Sequence, residues 1–350
     1  MSDNVNILQM YVILMNIKHY FCIIFLNITD MRCLKVSVLA VIAVLFAVSC
    51  GNRRKVAEGE LSGEISLSGA FALYPLAVKW AEEFQLLHPG VRIDISAGGA
   101  GKGMTDILAN VVDIGMVSRE VYPPEAERGA IAFAVAKDAV VATVNSGNPV
   151  LADLLKKGIT RETASKLWIT EEYKTWGQVT GTAAHDAVHL YTRSDACGAA
   201  ETWALWMNKK QEDLGGTAVF GDPGLAQAVQ RDKLGIGFNN LSYAYDEGTR
   251  LPNPGIRILP IDVNGNGQIE DEENFYDTKD RIIEAIAADK YPSPPARDLY
   301  LVTKGIPQNP VVMEFLRFIL TDGQQYNVPA GYISLSEEKL QKGLDLIKKQ

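Results

Sequence analysis

The 350-residue sequence is poor in cysteine and histidine, with four of each. Thiols at Cys22, Cys33, Cys50 and Cys197 are too few to staple a chain of this size into a disulfide scaffold. A basic excess is also missing. The chain has 34 Lys and Arg against 42 Asp and Glu, a formal charge of −8, which argues against a broad nucleic-acid surface. There is no repeat and no low-complexity segment. With 47% apolar and 22% charged residues, the composition excludes disorder, collagen-like structure and a simple coiled coil. The length suggests two domains. The mean hydropathy of +0.01 is high for a soluble protein, and residues 1–50 are its main source.

Leu34 to Val48 is an apolar run broken only by Lys35 and Ser37. It is too short for a membrane span, which needs roughly 20 residues. Arg32 and Lys35 precede its core, and Ala47-Val48-Ser49-Cys50-Gly51 closes it, the pattern of a secretory signal over 31–50. Small residues before Cys50 resemble a bacterial lipoprotein signal, in which that thiol is lipidated. Ala47 stands where such signals usually carry Leu, so ordinary cleavage nearby remains the alternative. Residues 1–30 hold two short apolar runs split by Asn16, Lys18 and His19. They read as a doubtful extension ahead of a natural start at Met31, or else as a weak further membrane segment. Residues 51–61 suit a polar tether. Only Lys18, Arg32, Lys35, Asp3 and Asp30 are charged within 1–50, so the acidic excess belongs to the remainder.

From Ile65 the pattern alternates in the α/β manner. Ile65-Ser66-Leu67 reads as a strand and Pro75 as a helix start. Ala77, Trp80, Ala81 and Phe84 share one helical face, and Pro89-Gly90 stops the helix. Val91, Ile93 and Ile95 form a second strand, Met104 to Val111 a helical face, and Asp113 to Val117 a buried strand. This βαβαβ start implies parallel crossovers. The apolar runs Ile131–Val144 and Leu299–Thr303 read as two passages joining two lobes. One lobe would hold 62–140 plus 298–350, the other 141–297.

In open α/β sheets ligands bind beyond the strand C-termini, where helix N-terminal N–H groups collect. Gly69-Ala70-Phe71, Gly99-Ala100-Gly101 and Ser118-Arg119 occupy such turns. The densest is Arg193-Ser194-Asp195-Ala196-Cys197-Gly198-Ala199, where an Arg fork and helix N–H groups suit an oxyanion.

Together with Gly235-Ile236-Gly237-Phe238 and Gly331-Tyr332-Ile333-Ser334-Leu335, these segments resemble the phosphate-binding subunit of bacterial phosphate ABC transporters. The resemblance spans most of 62–336 in the family's order. It implies a two-lobed periplasmic binding protein-like α/β fold (type II), with a ligand cleft between lobes joined by a two-strand hinge. It further implies capture of inorganic phosphate, delivery to an inner-membrane ABC permease, and an envelope location on the periplasmic side. The family's Arg-x-Asp-x-Ser-Gly-Thr stands here as Arg193-x-Asp195-x-Cys197-Gly198-Ala199, and Phe71 replaces a Thr. Missing hydroxyls leave another oxyanion, such as molybdate, arsenate or sulfate, as the alternative ligand. Asp195 favours hydrogen phosphate over fully ionised sulfate, because it can accept a proton; it can equally orient Arg193.

Asp262 to Glu273 matches a twelve-residue calcium loop, with Asp262, Asn264, Asn266, Gln268, Glu270 and Glu273 at the ligand positions, Gly267 at the turn and Ile269 at the apolar eighth position. A strand-like Ile256–Pro260 before it and a helix over 278–289 after it suggest a structural calcium site rather than a paired sensor. Other patterns fail. Gly101-Lys102-Gly103 lacks the flanking residues of a nucleotide loop. His185 and His189 lack a Glu and run into a strand. Cys197 has no oriented base, and Trp203 and Trp206 read as helix packing. A hydrolase is therefore the remote reading. A monomeric, non-enzymatic, lipid-anchored phosphate-binding protein, with no nucleic-acid partner, is the expectation.

Overall fold

The computed structural model describes residues 60–348. The expectations for the 1–30 extension, the 31–50 signal with Cys50, and residues 51–59 of the tether lie outside the described residues. Among those described, no helix is long and apolar enough to cross a membrane.

β1 (Ser62–Gly69) buries Ile65 and Leu67 and leads into α1 (Tyr74–Leu87). Pro75 opens that helix, where its missing N–H costs nothing. Leu76, Ala77, Trp80, Ala81 and Phe84 form its buried stripe, and Pro89 bars His88 from continuing it. β2 (Gly90–Ala97), α2 (Ala100–Leu108) and the wholly buried β3 (Ile114–Val117) complete the βαβαβ unit, with β1 parallel to both neighbours.

The two apolar runs are the strands β4 (Ala130–Asn145) and β9 (Ala296–Lys304), paired antiparallel from Ala130↔Lys304 to Ala139↔Ala296. Between them the chain builds β5 (His189–Arg193), β6 (Thr217–Val219), β7 (Gly235–Asn240) and β8 (Ile256–Ile258). The strand order is β2-β1-β3-β9-β4-β7-β5-β6, with β8 on β4.

Buried side chains fall into two clusters. One comprises residues from Ile65 to Ala136 and from Leu299 to Ile347. The other runs from Ala139 to Ala296 and includes Ile333, whose backbone bridges Lys137. The clusters divide within the paired stretch of β4 and β9, where Lys137↔Asp298 and Asp138↔Arg297 face each other. The fold is thus two lobes on a shared pair of strands. α7 (Gly198–Trp206) anchors the second lobe: Trp203 packs edge-on to Trp168, stacks on Phe238 and touches Trp206.

Candidate interlobe binding site

The turns that follow β1, β2, β3 and β5 meet where the lobes touch. Gly101 donates its N–H to the carbonyl of Ala196 at 3.0 Å, joining the start of α2 to the β5 turn. Gly198, first in α7, sits so close to the end of β3 that a Cβ there would lie 2.2 Å from the Ser118 oxygen. Gly99, at φ 88°, brings its backbone against Asp195; a side chain would meet the carboxylate at 2.7 Å. Small residues at these positions are the condition for the lobes to close at all.

Arg193 ends β5 and its side chain is fully buried. Its Nε and Nη2 donate to the two oxygens of Asp195 at 2.9 and 2.6 Å, and Nη1 donates to Asp222. Asp195 also accepts the N–H of Gly221 at 3.0 Å, where α8 (Gly221–Arg231) begins. Burial opposes the charge on Arg193, but Asp222 and Asp195 outweigh it and hold its pKa above the ordinary value. The network continues inward: Asn240 donates to Asp222 at 2.5 Å, and Arg297 donates to Asn240.

Phe71 lies over the Arg193 guanidinium at 5.6 Å and meets Phe220 and Tyr243 edge-on. Tyr243 donates its hydroxyl to the Phe71 carbonyl at 3.2 Å. The aromatic residue that replaces a family hydroxyl therefore acts as a cover across the lobe boundary. Cys197 caps α7, its Sγ accepting the Ala200 N–H at 3.4 Å. Burial pushes its thiol up to about 12, which removes it as a nucleophile at neutral pH.

Of the residues read from sequence, Gly69, Ala70, Phe71, Gly99, Ala100, Gly101, Ser118, Arg193, Asp195, Cys197, Gly198 and Ala199 lie on the converging turns. Asp195 is in the orienting role, with both oxygens engaged by Arg193. Arg119 does not join Arg193. It forks onto Glu125 at 2.7 and 2.9 Å and stacks on Tyr122 at 3.9 Å. The sequence reading missed Asp222, Asn240 and Tyr243. Asp222 follows Val219-Phe220-Gly221, a strand-to-helix turn of the same kind as the others, but the strand before it has only three, mostly exposed residues.

The loop 262–273 folds back on itself. Asp262, nearly buried, accepts the N–H groups of Gly265 and Gly267 at 2.7 and 2.8 Å. Glu273 accepts the Val263 N–H at 2.8 Å, which brings the two ends together. Glu270 accepts from the side chains of Asn264 and Asn266, both at 3.1 Å. The Ile269 N–H donates to Lys156 at 2.8 Å, and its side chain lies against Gly158. Among the described residues no group of three or more His, Cys, Asp or Glu side chains converges as a metal site. The loop's donors are carboxylates, amides and a carbonyl at Gln268, all hard oxygens of the kind calcium takes.

The family model of the PBP superfamily domain matches residues 55–323. The phosphate-binding protein PstS of Pseudomonas aeruginosa is 24% identical over 308 residues, covering 81% of this chain and 87% of its own. That of Staphylococcus aureus is 22% identical, covering 87% and 89%. A putative phosphate ABC transporter substrate-binding protein from Clostridium perfringens, solved with bound phosphate, superposes at a TM-score of 0.63 with 21% identity, over 78% of this chain and all of its own. An ABC-type phosphate transport receptor from Vibrio cholerae gives 0.56 with 19% identity, over 77% of this chain and all of its own.

Proposed function

Because the chain belongs to the PBP superfamily, we propose that it is an exported solute-binding protein that captures inorganic phosphate between its lobes and passes it to an ABC permease. The observation that carries this reading is the convergence of four strand-end turns on one buried Arg193. The names of the similar proteins support the choice of phosphate. The carboxylates refine it. An anion at Arg193 meets Asp195 and Asp222, so a ligand with its own proton to donate is favoured over one without. Hydrogen phosphate has that proton and sulfate lacks it.

Lobe closure would form the site, with Phe71 shutting out water. Export, cleavage near Cys50 and a lipid on that thiol at the periplasmic side complete the reading, with a monomer as the working unit. No catalytic step belongs to this reading. A second reading keeps the cleft and changes the anion to molybdate or arsenate. Phe71, Cys197 and Ala199 favour it, because they remove hydroxyl donors matched to phosphate. Titration calorimetry of the purified protein with phosphate tests the main reading: one saturable site is expected, and no heat of binding contradicts it.

The 262–273 loop is proposed to hold one structural calcium through Asp262, Asn264, Asn266, Gln268, Glu270 and Glu273. Binding would tie β8 to α10 (Lys279–Ala287) and stabilise the second lobe. Calcium should raise Tm and chelator should reverse it; an unchanged midpoint would count against the site.

A further inference from the structure

The parallel strands of the first lobe have two ends with different tasks. Their C-terminal ends carry the turns of the cleft. At the N-terminal end of β1 the chain runs back toward Cys50. Ser62, first in β1, pairs there with Gly90, first in β2, so Leu61 lies beside the end of α1. Leu61 and His88, with Pro310 and Met313 of α11 (Pro310–Leu320), line an open groove at this end. Glu314, also in its wall, is ion-paired with Arg317.

Leu86 and Leu87 close α1 at 74% and 62% exposure, and Pro89 after them is exposed as well. Leu87 falls three residues after Phe84, on the line of the buried stripe, yet it stays open because the helix has run past the edge of the core. Scattered exposed leucines are ordinary, whereas adjacent ones beside an apolar groove mark a contact surface.

The covalent chain indicates the partner. Residues 51–59, between Cys50 and Glu60, can span at most roughly 30 Å. A lipid on Cys50 would therefore keep this end of the first lobe close to a bilayer. The same stretch of sequence carries Arg53-Arg54-Lys55, a basic run of the kind an anionic lipid surface attracts.

We propose that this end of the first lobe is a membrane-resting face, with Leu86 and Leu87 in the headgroup layer of an anionic bilayer and the cleft at the opposite strand ends. The face rests on the reading of Cys50 as the lipidated residue.

The test uses the protein extracted from membranes and reconstituted into vesicles of phosphatidylglycerol and phosphatidylethanolamine. Leu87→Cys carries a fluorophore, and Val263→Cys, at a 55% exposed position of the second lobe, carries it for comparison. Cys197 is buried, and the lipid blocks Cys50. A nitroxide on the lipid headgroups should quench the label at 87 severalfold more than the label at 263. Adding Leu86→Glu should remove most of that quenching while the protein stays on the vesicles. Quenching at 87 no greater than at 263, or quenching that Leu86→Glu leaves intact, overturns the face and leaves the anchor standing. Mass spectrometry of the same sample reads Cys50 directly: an unmodified thiol removes the anchor and the face with it.

Discussion

Two arginines lie at either end of one hydrogen-bonded chain, Arg193-Asp222-Asn240-Arg297, and both are buried. Arg193 has carboxylates on both sides in hydrogen-bond contact, and they hold its pKa above the ordinary value. Arg297 has one acid at 3.7 Å, two unpartnered nitrogens, and a pKa lowered chiefly by burial. Burial is the same in kind, and the outcome differs because partner geometry differs. Arg193 is a braced group, with Nε, Nη1 and Nη2 each donating to a carboxylate. Arg297 carries an unmet electrostatic demand placed on the strands that join the lobes.

Removing Arg193 should cost the most. Arg193→Ala leaves Asp195 and Asp222 buried and facing each other. A loss of about 3–5 kcal/mol is expected in denaturant unfolding, the range for breaking a buried pair. A loss below about 1 kcal/mol would mean that the brace is not there.

Asp138→Asn probes the other end, with the opposite sign. Burial raises the Asp138 carboxyl from its ordinary 3.8 to about 6, so the folded chain holds that proton more tightly than the unfolded chain does. This contribution to stability is complete below about 4 and is lost as pH rises through about 6. The amide should therefore stabilise the protein at pH 7 by on the order of 1–3 kcal/mol, and the decline between those pH values should flatten. Thermal melts of both proteins from pH 4 to pH 8 check this. A less stable variant at pH 7 would show that Arg297 already pairs with a charged Asp138. The smallest effect belongs to Cys197→Ser. Hydroxyl for thiol keeps the α7 cap, and a change within about 1 kcal/mol is expected from the same unfolding measurement.

Local pattern made part of this legible. The five-residue stripe of α1, the buried β3 and the long runs of β4 and β9 each declare themselves through periodicity or length. Arg193 and Asp195 stand out because charges before a Gly turn are rare in an otherwise apolar neighbourhood. What escaped depends on pairing across the chain. Asp138 and Arg297 become partners only through the β4–β9 register, which no local window contains. Asp222 follows a strand of three residues, too short and too exposed to mark its turn. Arg119 sits beside a predicted turn but is captured by Glu125, which also bonds the Tyr122 N–H at the start of α3 (Pro123–Glu127). Position near a site was legible there, and side-chain direction was not. Tyr243 meets Phe71 across 172 residues of chain, a contact no local window contains.

The cleft is proposed to select a protonated oxyanion because Arg193 is already faced by two carboxylates. Calorimetric titration of phosphate into the purified protein, in the absence and then the presence of excess sulfate, tests it most directly. Phosphate should bind with unchanged affinity in sulfate, and sulfate alone should give no saturable heat. Sulfate that binds as tightly as phosphate, or displaces it, would rule that selectivity out.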